Sequence, residues 1–202
     1  MQIKGGKVDT GTLENLDIIQ HEAVRLGAMT EQIKLSSVKR EQQLQETDCD
    51  LNQMLVEVSR FCAPICVKNN NHIELALCPQ AVRVLVIEDT IFQVLYNLIA
   101  NANRHSQGSA ITLSDAADGG FAQVRVTDRG SGMDKATLDR AFDRGFSKDG
   151  SSGLGLPLCR IIIEEHGGTI KIESTPGKGT EILFTIPLAE EENHEQPADP
   201  GR

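Results

Sequence analysis

Tryptophan is absent from this 202-residue chain and tyrosine occurs once, so that aromatics amount to 3% of the residues. A core must therefore be built from Ile, Leu, Val and Ala, and stacking platforms for nucleic-acid bases have little to be made from. An excess of positive charge is missing too: 20 basic against 29 acidic residues leave a formal net charge of −9, which disfavours a nucleic acid or an anionic membrane as main partner. Part of this charge is local, because Glu190 to Arg202 carries five acids and one arginine, leaving the remainder near −5. No apolar run reaches the roughly 18–20 residues of a membrane span, and Met1 to Thr10 lacks a signal-peptide core, so a cytoplasmic piece is expected. The cysteines, Cys49, Cys62, Cys66, Cys78 and Cys159, are odd in number and form no CxxC pair, reading as reduced, buried small hydrophobes. Two nucleotide-binding motifs are also missing. Gly177-Lys178-Gly179-Thr180 lacks the upstream glycine of a Walker A loop and falls between two strands, and no GxGxxG joins a strand to a helix.

What is present is globular: 39% hydrophobic residues, 24% charged, and 18 glycines. From Thr12 to about Gln45, Leu13, Leu16, Ile19, Ala23, Leu26, Met29 and Ile33 recur at helical spacing, predicting a long amphipathic helix that needs a partner helix or a second chain. Glu46 to Asp50 reads as a polar break, and Leu51 to Cys62 as a second helix capped by Asp48 or Asp50. Short strands are expected at Ile73–Leu77 and Val82–Ile87, followed by a strong helix at Asp89–Arg104. Ala110–Leu113 and Phe121–Thr127 suit a hairpin across Asp118-Gly119-Gly120. A short helix at Asp134–Phe142, a Ser/Gly-rich loop to Gly153, a helix at Gly155–His166 stopped by Gly167-Gly168, and strands at Thr169–Glu173 and Thr180–Pro187 complete the order. Strand pairs joined by tight turns favour an α+β sheet over a doubly wound parallel one.

Three features carry chemistry. Asn97, Asn101 and Arg104 stand at i, i+4 and i+7 of one helix and share an edge. Carboxamide oxygens suit Mg²⁺ and a guanidinium suits phosphate, although a solvated helix face explains the row equally well. The strand ending at Asp128 runs into Gly130 and Gly132, which holds an acceptor beside backbone that a planar ligand can approach; a plain turn is the simpler reading of that stretch taken alone. Gly150 to Leu156 opens a helix with glycines whose free N–H groups and positive dipole end suit phosphate, and Pro157 falls in the first turn where its missing N–H costs little.

Taken in order, Asn97 to Ser106, Asp128-x-Gly130-x-Gly132, Phe142-x-x-x-Phe146 and Gly153-Leu154-Gly155-Leu156 resemble the four boxes of sensor histidine kinase ATP-binding domains. Glu165 to Thr180 is similar to that family's closing hairpin, and the resemblance covers about Ile73 to Pro187. It implies a two-layer α/β sandwich of the Bergerat type, a mixed sheet backed by helices, with ATP under a lid of roughly Phe142 to Ser152. By the same resemblance Asn101 ligates Mg²⁺, Asn97 supports that site, Arg104 touches phosphate and His105 lines the nucleotide. Asp128 accepts the adenine amino group, Gly130 and Gly132 let the base approach, and Gly153, Leu154, Gly155 and Leu156 receive the phosphates. Phe142 and Lys148 belong to the lid, Lys148 as a phosphate contact.

Hydrolytic relatives of this fold, such as gyrase and mismatch-repair ATPases, carry a Glu one turn before the metal Asn. Here that position is Asn97, and a carboxamide is no general base, which favours transfer of the phosphoryl group over hydrolysis. Arg104 stands where many members have Lys.

His21-Glu22 lacks the proline that follows the family's phosphoacceptor and reads as a helix-surface residue. The expected organisation is thus part of a dimerisation hairpin over 1–46, mainly its second helix, an ATP-binding domain over 47–189 and a disordered acidic tail over 190–202. The acceptor histidine, and with it the contact to a response regulator, is expected on a segment outside this chain, so autophosphorylation is not expected; dimerisation runs through the N-terminal helix, and a membrane anchor elsewhere in a parent protein is compatible with all of this. An anti-sigma-type serine kinase and a non-catalytic nucleotide-binding module are the alternatives.

Overall fold

The computed structural model describes residues 45–148 and 151–189, and the chain divides into two units at Gln43–Leu44. The amphipathic stretch from Thr12, His21 and the tail from Glu190 lie outside the described residues. In the second unit, β1 (Thr47–Asp50) leads into α1 (Leu51–Lys68), followed by β2 (His72–Ala76), β3 (Arg83–Val86) and α2 (Glu88–His105). The hairpin β4 (Ala110–Asp118) and β5 (Phe121–Asp128) comes next, then a single turn α3 (Lys135–Leu138), α4 (Gly155–Glu165), and the closing pair β6 (Thr169–Thr175) and β7 (Gly179–Pro187).

The main sheet has the order β2-β4-β5-β7-β6, with β2 parallel to β4 and the other neighbours antiparallel. It is the expected mixed sheet. Strict alternation makes one face apolar: Ile111 and Leu113 on β4, Val124 and Val126 on β5, and Ile182, Phe184 and Ile186 on β7 are all buried. Against this face pack α1, α2 and α4 through residues such as Leu55, Val58, Leu95, Ile99, Leu158 and Ile163, each almost wholly enclosed. The opposite face is polar, where Arg125 Nη1 meets Glu181 Oε1 at 3.1 Å across neighbouring strands. The helices therefore form one layer and the sheet the other. The β4–β5 hairpin turns on Gly119 and Gly120, both at positive φ, the conformation a two-residue turn with the right twist demands.

Four expectations need correction. Glu46 to Asp50 is not simply a polar break, because Thr47–Asp50 pairs antiparallel with β3 in a small two-stranded sheet. Cys49 is buried there, and Arg83 Nε donates to Asp48 Oδ1 at 2.9 Å. The strand expected at Val82–Ile87 accordingly lies outside the main sheet. Helix α1 runs past Cys62 to Lys68 despite Pro64, since the prolyl ring is exposed and the buried stripe continues through Cys66. The helix expected over Asp134–Phe142 is regular only at Lys135–Leu138 and goes on as turns.

Two ends are capped as the sequence suggests or better. Asp50 Oδ1 accepts the Asn52 N–H at 2.9 Å at the head of α1. At the tail of α4, His166 Nε2 accepts the Ile87 N–H at 3.1 Å while Nδ1 donates to the Ile162 carbonyl at 2.7 Å. The first bond requires an unprotonated Nε2, which fixes the neutral tautomer and ties the foot of α4 to the head of α2.

Phe184, the largest fully buried side chain among the described residues, stands on β7 in the sheet's apolar face. Phe184→Ala is expected to lower unfolding free energy by about 3–5 kcal/mol, read from the shift of the urea denaturation midpoint at unchanged slope.

Candidate functional site

Helix α2 buries Ile91, Val94, Leu95, Leu98, Ile99 and Ala102, which leaves Asn97 and Asn101 half-buried on another side and Arg104 and His105 exposed in its last turn. The amide row looks toward the N-terminus of α4. A Cβ placed on Gly155 would lie 3.9 Å from Asn101 Nδ2, so the first residue of α4 and the Asn101 amide face each other. No side chain caps this end: Leu154 holds the N-cap position without a side-chain hydrogen bond. The N–H groups of the first turn are thus available to an acceptor. Asn97 Nδ2 is enclosed without a hydrogen-bond partner among the described residues, with its side chain beside the Cys159 thiol. Burial pushes that thiol up to about 12, so it stays neutral.

At the other end of the row, the loop after β5 is pressed onto the last carbonyls of α2. Ser131 N–H donates to the His105 carbonyl at 3.0 Å, and a Cβ on Gly130 would overlap that same carbonyl. Gly132, at φ +61°, packs in the same way against the Thr175 carbonyl, and Gly177 N–H donates to the Ser131 carbonyl at 2.7 Å. These two glycines are expected to let a base approach, and in the structure the space a side chain would take at each is filled by the protein's own backbone.

Asp128 ends β5 at 7% exposure, with Oδ1 accepting the Gly130 N–H at 2.8 Å. Burial pushes its carboxyl above the ordinary 3.8, while the Gly130 and Thr180 backbone, Ser106 and His105 pull the other way. Ser106, itself buried, borders this carboxylate. It follows His105 in the sequence, and only its place at the end of the asparagine-rich helix could have marked it.

The segment before α4 closes on itself. Gly145 N–H donates to the Gly153 carbonyl at 3.0 Å, and Ser147 Oγ and Ser151 Oγ are 2.8 Å apart. Phe142 lies half-buried under the Arg160 guanidinium, 3.9 Å from the ring centre, and Phe146 takes Arg140 at 4.1 Å. Leu154 and Leu156 are half-buried beside Gly153 and Gly155. Lys148 is placed differently from the expectation of a phosphate contact: its ammonium donates to Asp134 Oδ2 at 2.8 Å. Neither Asp134 nor these two arginine–phenylalanine stacks was read from the sequence, since no local pattern joins such partners.

A cavity of about 280 Å³ lies elsewhere, between β1, β3 and the heads of α1 and α2, and shares no residue with this site. Its lining includes Asp50, Glu57, Glu88 and Asp89, which repel a polyphosphate. Among the described residues no helix is long and apolar enough to cross a membrane, and no group of three His, Cys, Asp or Glu could hold a metal ion.

A family model for histidine kinase-, DNA gyrase B- and HSP90-like ATPases matches residues 86–190. The sensor-like histidine kinase SenX3 of Mycobacterium tuberculosis is 33% identical over 186 residues, a match covering 86% of this chain and 45% of that protein. Sensor histidine kinase WalK of Bacillus subtilis is 32% identical over 161 residues, covering 72% of this chain and 26% of WalK. Among solved structures, the catalytic domain of histidine kinase ThkA superposes with a TM-score of 0.65 at 28% identity, covering 70% of this chain and 95% of that one. Full-length ShkA in complex with AMPPNP gives 0.73 at 23% identity, covering 91% and 40%, which shows likeness of fold. The chain spans less than half the length of these curated relatives.

Asp134 is held well below the usual carboxylate range, first by Lys148 and then by Thr137, whose N–H and hydroxyl it accepts at the head of α3. A depressed value contributes stability above pH 3.8 that disappears as pH falls through it. Asp134→Ala is therefore expected to melt below the wild type at pH 7, with the gap closing under pH 3.8, and to be cut faster by trypsin after Arg144 and Lys148.

Proposed function

Since the chain belongs to the family of histidine kinase-, DNA gyrase B- and HSP90-like ATPases, we propose that it is the ATP-binding catalytic part of a two-component sensor histidine kinase. It binds Mg·ATP and passes the γ-phosphoryl group to a histidine on a dimerisation hairpin. The observation that carries this reading is the convergence along α2: its amide row faces the uncapped head of α4 at Gly155, and its last turn meets the loop that holds Asp128.

The roles follow from position. Asp128, a buried acceptor at a strand end, takes the adenine amino group, and its ionised form is the better acceptor. Gly153, Leu154, Gly155 and Leu156 present backbone N–H groups to the phosphates. Arg104 and His105, in the last turn of α2, stand along the nucleotide, Arg104 against phosphate. Phe142 and Lys148 belong to the segment that covers it, and Lys148 reaches phosphate only by leaving Asp134. For Mg²⁺ the donor set fits a particular mode of binding. There is no carboxylate cage among the described residues, but the Asn101 and Asn97 amides offer neutral oxygens, and the enclosed Asn97 nitrogen lacks a partner among the described oxygens and nitrogens. A cation that keeps several waters and leans on nucleotide phosphates needs little more. When bound, Mg²⁺ supplies charge neutralisation of the phosphate oxygens.

Phosphoryl transfer asks the protein mainly for positioning and electrostatic stabilisation. Asn97 occupies the place a general base would need and cannot serve as one, which protects bound ATP from water until an acceptor arrives. The acceptor histidine, a response regulator beyond it, and a homodimer formed through the N-terminal stretch complete the reading. The domain limits we adopt are 1–46 for the hairpin portion, 47–189 for the catalytic domain and 190–202 for an acidic tail.

Two experiments test it. Asp128→Asn is expected to lower ATP affinity about 10- to 100-fold, the worth of one charge-assisted hydrogen bond, with the circular dichroism spectrum retained; unchanged affinity sinks the adenine assignment. Incubated with labelled ATP and a separately supplied hairpin bearing the acceptor, the protein is expected to transfer acid-labile phosphate to that histidine. Acid-stable label points instead to a serine kinase, and binding without transfer to a nucleotide-binding module.

A further inference from the structure

The tail of α2 is finished by side chains that come from a distant turn. The last four carbonyls of a helix have no partner within it, and α2 ends on Ser106 in extended conformation rather than on a left-handed glycine cap. Asn69 Nδ2 donates to the Asn103 carbonyl at 2.8 Å. Asn71, at 3% exposure, directs Nδ2 at three oxygens: Asn103 Oδ1 at 2.8 Å, the Ser106 carbonyl at 3.1 Å and the Asn103 carbonyl at 3.2 Å. Its Oδ1 accepts the Ser109 N–H at 3.0 Å. Asn103, also buried, completes the set by donating Nδ2 to the Ile65 carbonyl on α1 at 3.0 Å. Both carboxamides are thus used at both ends, and neither faces the nucleotide row.

Such a network is a costly way to fill a seam between two helices, because an apolar pair of similar volume would need no matching of donors to acceptors. What it supplies is position. Asn103 and Ser106 flank His105, and the His105 carbonyl is the acceptor for Ser131 N–H and the surface against which Gly130 packs. Gly130 N–H in turn holds Asp128 Oδ1 at 2.8 Å, and Ser106 borders the same carboxylate. A continuous run of contacts therefore leads from Asn71 to the group that reads the base.

We propose that Asn71 and Asn103 are positioning residues for the base end of the nucleotide site: by fixing the last turn of α2 they set where the His105 carbonyl stands, and with it the orientation of Asp128. This rests on the reading that Asp128 accepts the adenine amino group. It assigns specificity for adenine in part to a pair of side chains that touch no nucleotide.

The test compares ATP with the purine riboside triphosphate that lacks the 6-amino group, both with Mg²⁺, by equilibrium binding to the full chain. The wild type is expected to prefer ATP by about tenfold or more. In Asn71→Ala that preference is expected to shrink about three- to tenfold, while affinity for the amine-free triphosphate stays within about twofold of wild type. An unchanged preference overturns the proposal, and so does an equal loss for both triphosphates, which a merely structural role would produce. Should Asn71→Ala fail to fold by circular dichroism, Asn69→Ala removes one donor from a half-buried place and is read in the same way, with about a twofold loss of preference expected. A wild type that does not prefer ATP overturns the Asp128 reading itself and this inference with it, a result distinct from a failure confined to the variants.

Discussion

The contact between the tail of α2 and the loop behind β5 is the constraint on which the site depends. Ser131 N–H reaches the His105 carbonyl only because residue 130 has no side chain, and Asp128 is held in turn by the Gly130 N–H. One helix thereby fixes two things at once: its amides face the head of α4, and its final carbonyl fixes the carboxylate at the strand end. The separation between the head of α4 and the Asp128 carboxylate is set by the length of a helix, the stiffest ruler a small domain has. The closing hairpin completes the clamp, since the Thr175 carbonyl and Gly177 N–H grip the same loop from the far side.

Much of this architecture was legible because its signals are local. The Gly119-Gly120 turn sits between alternating segments, and the apolar stripe of α2 repeats at helical spacing over eighteen residues. Where partners are distant, legibility fails. Thr47–Asp50 carries two aspartates in four residues and looks like a loop; it is a strand because Arg83 and Val84, more than thirty residues on, supply its pairing and its burial. Pro64 looks like a helix end, yet the buried stripe on either side outweighs one missing hydrogen bond.

The site shows the same divide. The asparagine row, the strand-end aspartate and the glycines before α4 were named from spacing, and the structure brings them along one helix edge. The reason for Gly130 and Gly132 was not legible, because a sequence shows that a residue must be small without showing what presses against it. Asn103 stands inside the asparagine-rich stretch, and no sequence spacing points to its partners, Ile65 and Asn71, on the other side of the helix. Lys148 is assigned by its place in a covering segment, and its pairing with Asp134, fourteen residues earlier, is not legible because no local pattern joins the two.

The strand order carries a consequence for how the chain assembles. β5, which bears Asp128 at its end, has β4 on one side and β7 on the other, and β7 is the final strand described. During synthesis the central strand therefore waits with one edge bare until residue 187 has emerged. The long-range pairing of Phe121 with Pro187 closes the sheet late, and any chain released before that point exposes an apolar ladder to its neighbours. The setting of Asp128 at the end of β5 is thus complete only in chains whose last strand is in place.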